Sequence, residues 1–253
     1  AIQRLAGRRG GTVTLRGSLG KSHEILLQAL FSKTVSPYQV QEIRTPLSYE
    51  IHQYFLGDRS GHVATGCVLE SLKLEGESAG QITFEAVFRA RTITSEVDLS
   101  SGDYADYGTV ALTHAQPFLF GDIAGVSLLG SFDGFTAFEL TLGNRFVDDD
   151  ALYQDSFVKQ AELVSGFEGE LGFTALYTAE AGWKEDKLLS TSVTDGAIAF
   201  TLDDDSVTWT LSAYGKLSEI KPADPDHQIF LFSATLNLFG DGDNKAVSIA
   251  VTS

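Results

Sequence analysis

The chain has 253 residues, 43% of them hydrophobic, enough to bury a proper core in one large or two small domains. Its 34 acidic and 18 basic residues leave a formal net charge of −16. That excludes a protein that wraps nucleic acid, whose affinity comes from Lys and Arg neutralising phosphates. The single cysteine, Cys67, excludes an intrachain disulfide framework. No secretory or membrane-length apolar run is visible, so synthesis in the cytoplasm and no membrane partner are expected. Methionine is absent, and Ala1 fits either initiator removal or a longer parent chain.

Val13 and Leu15 alternate with threonines over Thr12–Leu19, as in a half-buried strand. Ser22 then reads as the N-cap of a helix through Phe31, with Ile25, Leu26, Ala29 and Leu30 as one apolar face. Pro37 and Pro46 bracket a connection, and Ser48–Gly57 forms a second strand region. His62–Thr94 gives the strongest signal. Val68, Leu69, Leu72 and Leu74 precede a Gly-containing turn, after which Ile82, Phe84, Ala86 and Phe88 alternate with Gln81, Thr83, Glu85 and Arg89. Period two places the first set on a buried face and the second on an open one, an antiparallel hairpin. Ser95–Thr109 lacks either period and reads as a linker.

Beyond it, Phe135–Leu142 alternates as a strand, Asn144–Phe157 is an acidic loop or mobile hairpin, and Leu163–Tyr177 returns to strand character. Ala179–Leu189 has a helical pattern. Two further hairpins are expected. One joins Ala197–Leu202 to Val207–Tyr214, and the other joins His227–Phe239 to Ala246–Val251. The halves match in order. Gly11–Val35 aligns without gaps on Gly169–Val193, Val68–Gly76 on Val207–Gly215, and Phe84–Ala90 on Phe232–Leu238. A mainly β chain follows, with a β-rich unit used twice, at residues 1–100 and 110–253, each carrying a short helix packed on its sheet. The first unit has no counterpart of Phe135–Gln160; either that front section was lost or the chain continues upstream of Ala1.

Chemistry-bearing motifs are sparse. The five histidines lack HExxH or paired ligand spacing, and GxSxG, P-loop and dinucleotide fingerprints are missing. Asp148–Asp150, Asp203–Asp205 and Gly240–Asn244 offer carboxylates, but at turns where Asp is ordinary and without the full spacing of a calcium loop. Cys67 reads as a small buried hydrophobe. No metal, cofactor or catalytic residue is expected, and the chain is read as a non-enzyme. Arg4, Arg8, Arg9 and Arg16 form the clear basic patch. Arg8 and Arg9 are candidate inter-subunit contacts to Asp148, Asp149 and Asp150 of a neighbour. Gln81, Thr83, Glu85 and Arg89 are the candidate solvent or lumen face.

The order strand, helix with LLQALF, strand, then TGCVLESLKLEGESAGQITFEAVFRA resembles the tail tube (major tail) proteins of tailed bacteriophages. Gly66, Cys67, Val68, Leu72, Leu74, Ala79, Gly80, Ile82, Phe84 and Phe88 carry the likeness. The resemblance implies two tandem tail-tube-like β-sandwich or barrel domains and a virion protein assembled in the host cytoplasm. It implies stacked rings around a channel, each a homotrimer with pseudo-six-fold symmetry or a hexamer, whose inner strands form a continuous barrel. Implied partners are further copies, tape-measure, terminator and distal tail or baseplate proteins, and genomic DNA that passes without specific binding. A baseplate or adhesin β-sandwich, or a carbohydrate-active β-sandwich enzyme with paired carboxylates, would share the same patterns.

Overall fold

A computed structural model describes residues 2–4, 11–40, 45–54, 60–98, 117–128, 135–146, 164–176, 195–203, 207–222, 231–240 and 245–252. The protein is mainly β. Its strands are β1 (Ile2–Arg4), β2 (Gly11–Ser18), β3 (Tyr38–Gln39), β4 (Tyr49–Tyr54), β5 (Ser60–Glu77), β6 (Thr83–Ala90) and β7 (Thr92–Asp98). They continue with β8 (Ile123–Leu128), β9 (Phe135–Phe146), β10 (Val164–Leu176), β11 (Asp195–Asp203), β12 (Thr208–Pro222), β13 (Leu231–Leu238) and β14 (Val247–Thr252). Among the described residues one α-helix, α1 (Glu24–Phe31), packs on β5. Its predicted cap is corrected: Ser22 lies in a 3-10 turn, and His23 precedes the helix, its ring nitrogen accepting from the Gly20 N–H at 2.9 Å. The predicted face shifts too. Ile25 is half exposed, and Leu27 and Phe31 join Leu26, Ala29 and Leu30 inside.

The hairpin expected at His62–Thr94 is present and longer. Ile82, Phe84, Ala86 and Phe88 are buried, as alternation requires. β5 is long because it serves two layers. Its second part pairs with β6 and β9, its first part with β4 and β7. The chain turns between these layers at Gly66, whose φ of 63° favours glycine; a Cβ there would lie 2.8 Å from the Arg91 Cβ. A bulge between Leu69 and Ser71 lets Leu69 and Leu72 both face inward. Ser95–Asp98, expected in a linker, instead completes β7 because its backbone pairs with β5; residues 99–109 lie outside the described residues, as does the helical pattern at 179–189.

The sheet runs β1-β2-β6-β5-β9-β10-β13-β12-β11-β8. β13 and β14 do not pair with each other, contrary to the expected hairpin. Both lie along β12, β13 on Gly215–Pro222 and β14 on Thr208–Ala213. β6 and β7 lie along β5 in the same manner. Asn144–Phe146, expected to open an acidic loop, are the last residues of β9, because they pair with β10.

Two sets of strands repeat one register. Gly11↔Ala90 and Gly17↔Phe84 on β2–β6 correspond to Gly169↔Leu238 and Ala175↔Phe232 on β10–β13, as the aligned residues require. The partner strand departs from the sequence alignment. Val68↔Arg89, Leu69↔Phe88 and Lys73↔Glu85 have counterparts in Lys216↔Asn237, Leu217↔Leu236 and Lys221↔Ser233. Val68 therefore matches Lys216, not Val207, and the bulge after Leu69 recurs after Leu217. Val207–Tyr214 shares the alternating pattern, but it is Gly215–Pro222 whose backbone pairs with β13. β1 also has a counterpart. Ile2↔Val13 and Arg4↔Gly11 reproduce Leu140↔Leu171 and Leu142↔Gly169, so β1 stands where Leu140–Leu142 of β9 stand, a three-residue counterpart within the front section Phe135–Gln160 that the first unit was expected to lack.

The sets are joined by β9. It pairs with β10 on one edge and, from Ser71↔Gly143 to Glu77↔Ala137, with β5 on the other. Asn144 is buried at this joint. Its amide donates to the Leu30 and Leu69 carbonyls, each at 3.0 Å. The first is a helix-terminal carbonyl and the second sits at the bulge, two places where regular ladders leave acceptors open. A segment missed in the sequence adds to the joint. Phe118 is fully buried, its carbonyl accepts from the Ile82 N–H at 2.9 Å, and its ring meets Trp209 edge-on at 5.7 Å. Core residues from both sets form one cluster.

Asn144→Ala is expected to lower unfolding free energy by about 1–3 kcal/mol, the cost of leaving buried acceptors unpaired. Urea denaturation checks it; an unchanged midpoint would remove Asn144 from the joint.

Candidate assembly interface

The polar face of the sheet crosses both strand sets. One row of directly opposed residues runs Arg16, Glu85, Lys73, Thr141, Glu170, Asn237, Lys216. The next runs Ser18, Thr83, Glu75, Glu139, Gly172, Thr235, Glu219. Alternation puts Leu74, Leu140, Leu171 and Leu236 on the opposite, buried face. Small side chains and glycine in these rows leave an open groove of about 590 Å³, walled by Glu75, Glu77, Glu139 and Glu170 and floored by Gly172, Thr174 and Thr235. Lys, Arg and His are absent from its described lining.

Glu75 and Glu139 oppose each other directly, an arrangement that repels. Lys73 offsets it. Its Nζ lies 2.6 Å from Glu75 and 3.0 Å from Glu139, and these two carboxylates, Glu75 foremost, raise the Lys73 pKa. Arg16 pairs with Glu85 at 2.6 Å, and Arg145 pairs with Glu168. The Arg16–Glu85 and Arg145–Glu168 pairs are largely exposed cross-strand pairs, each worth a few tenths of a kcal/mol to about 1 kcal/mol.

The four residues expected on the open face divide accordingly. Gln81 is exposed, beside the sheet at a bridge to Leu119, and accepts from the Ser18 hydroxyl at 2.6 Å. Thr83 is exposed. Glu85 and Arg89 are half-buried; Arg89 donates to Glu70 at 2.9 Å, and its guanidinium sits 5.3 Å from the Phe146 ring centroid. Arg8, Arg9, Asp148, Asp149 and Asp150, the expected inter-subunit contacts, lie outside the described residues, as do Asp204–Asp205 and residues 241–244.

Other reactive groups are committed inside. Burial pushes the Cys67 thiol to about 11, a poor nucleophile at neutral pH. Burial and the Glu24 carboxylate, to which its hydroxyl donates, push Tyr38 up to about 12. Among the described residues no group of three His, Cys, Asp or Glu could hold a metal ion, and no helix is long and apolar enough to cross a membrane.

The strand edges are the other feature. Among the described residues β1 pairs with β2 alone, leaving its far edge open. The Glu219–Pro222 end of β12 has β13 on one side and, among the described residues, no strand on the other. β7 pairs with β5 alone among them. Sheet edges of this kind are ready templates for another chain. The edges are invisible to side-chain patterns; repeated register reveals them. No protein-family model matches the sequence, and a comparison with curated proteins returns no match.

Lys73→Ala is expected to destabilise the fold by up to about 1 kcal/mol through exposed repulsion between Glu75 and Glu139. Adding Glu139→Gln to that variant is expected to restore part of the loss. In the native chain Lys73 has a raised pKa, so its contribution is complete below the unfolded value and fades as pH climbs through the folded one. Thermal melts from pH 7 to 11 check the sign; stability rising over the alkaline range would contradict it.

Proposed function

We propose that the chain is a structural subunit that polymerises into stacked rings as the tail tube of a tailed bacteriophage. On this reading it comprises two tandem tail-tube-like domains, the channel is a path for genome delivery, and the role is mechanical instead of catalytic. The observation that carries it is the continuous sheet in which one strand set accepts a strand from the next. A sheet extended this way either keeps growing or closes, and closure is the state that leaves no edge.

The dimensions are compatible. Each chain offers eight strands to the joined sheet, from β1 through β12 by way of β9. Three chains would supply about 24 strands; at ~4.8 Å spacing and ~40° tilt the wall is about 150 Å round and roughly 50 Å across at the backbone. That is wide enough for a double helix with water on all sides. The polar face would line the channel, and Glu77, Glu139 and Glu170 would keep phosphates off the wall, so DNA slides without sticking. Stacking of rings is a head-to-tail contact, which propagates into a tube. Tape-measure, terminator and distal tail or baseplate proteins would complete the virion.

Negative-stain microscopy of the concentrated protein is expected to show hollow rings or tubes. A monomer at every protein and salt concentration would contradict the proposal. In assembled particles Glu77→Lys with Glu170→Lys is expected to retain duplex DNA at low salt and release it as salt rises, while the native protein retains none. Equal, salt-independent behaviour of the two would take these residues off the channel wall.

A further inference from the structure

We propose that neighbouring chains join by the strand addition that joins the two sets within one chain, Ile2–Arg4 of one copy lying antiparallel on Ile220–Pro222 of the next. This rests on the ring-forming reading and gives it a specific interface. Within the chain β9 meets β5 as Leu140↔Leu74, Thr141↔Lys73 and Leu142↔Leu72. The counterparts of Leu140, Thr141 and Leu142 are Ile2, Gln3 and Arg4, because each trio occupies the same register against β2 or β10. The counterparts of Leu72, Lys73 and Leu74 are Ile220, Lys221 and Pro222, because each trio occupies the same register against β6 or β13, just past the same bulge. Substitution gives Ile2↔Pro222, Gln3↔Lys221 and Arg4↔Ile220. Among the described residues both edges are open in a single chain, and neither can satisfy the other there without closing the sheet on itself.

A second contact agrees in direction. β3, from the first strand set, pairs across to β14 of the second through Gln39↔Ser248 and Tyr38↔Ile249, and the Ser36 hydroxyl accepts from the Val251 N–H at 2.9 Å. The register of β7 on β5 matches that of β14 on β12, so Ile93 and Thr94 stand where Ser248 and Ile249 stand. Among the described residues that outer edge of β7 carries no strand. The following set thus brings a front strand and offers a back edge, whether it belongs to the same chain or to the next. Pro222 lacks an N–H and costs at most one ladder bond at the end of the register. In the free chain it also guards the edge against indiscriminate pairing.

Paired cysteines test the register. Directly opposed residues on antiparallel strands have Cβ atoms about 4.5–5.5 Å apart, near what a disulfide spans, and diagonal ones are about 7–8 Å apart. Full-length Gln3→Cys/Lys221→Cys protein, oxidised under assembly conditions, is expected to run as a ladder of linked chains. Yield should exceed that of Gln3→Cys/Glu219→Cys by about tenfold. The buried Cys67 stays out of the reaction. Mixing the two single variants should yield dimers alone, and neither single variant should link by itself. Melting curves matching the native chain show that the variants fold. Rings or tubes in micrographs without the disulfide between positions 3 and 221, a preference for the offset pair, or a purely intrachain link would overturn this joint while assembly stands. Protein that folds but never assembles would overturn both the joint and the ring reading.

Discussion

The pairing of β9 with β5 is the contact on which the rest of the molecule depends. It spans Ser71–Glu77 and Ala137–Gly143 and is the ladder that makes one sheet out of two strand sets. Backbone bonds give it strength without specificity, since any two edges of the right length could pair. Specificity comes from buried side chains. Asn144 reaches two carbonyls that regular structure leaves open, one at the helix end and one at the bulge. A one-residue slip would carry that amide to the opposite face and strand it without its partners. Phe118 against Trp209 and the main core cluster then lock the halves together.

The same register recurs because the same local devices enforce it. A bulge follows Leu69 and another follows Leu217. Near each, the long strand passes from one layer to the other at a position that tolerates little bulk. Gly66 adopts a positive φ, and at Gly215 an added Cβ would lie 2.1 Å from the Asn237 carbonyl oxygen. Bulges and tight glycines make costly slips costlier, so both sets settle on one answer. The polar face follows as a consequence. Once the register is set, Glu75 must oppose Glu139, and Lys73 must sit between them to offset the repulsion.

The mainly β class and the central hairpin were legible in the sequence, because alternation of Ile82, Phe84, Ala86 and Phe88 has one physical reading. The match of Gly11–Val35 to Gly169–Val193 placed β2 over β10 correctly at its strand end. The match of Val68 to Val207 failed because two alternating stretches lie in tandem along β12, and side-chain period cannot say which one faces β13. The counterpart of β1 was missed because three residues carry no period at all. Ile25 was placed inside by helical spacing alone; burial of Leu27 and Phe31 shows the helix rotated against β5. Of the four residues expected on the open face, Gln81 and Thr83 are exposed and Glu85 and Arg89 half-buried, because alternation says which face a residue takes and not how its neighbours cover it. The groove and the edges were not readable, since they arise from strands far apart in the chain.

In the proposed assembly one joint serves within and between chains. A cryo-electron microscopy reconstruction of the assembled particle tests it most directly. The expected result is an inner wall that is a single antiparallel sheet, with the contact at each chain boundary superposing on the β9–β5 contact inside a chain. A wall in which chains meet through the helices or outer layer, with β1 and the end of β12 left unpaired, would contradict it.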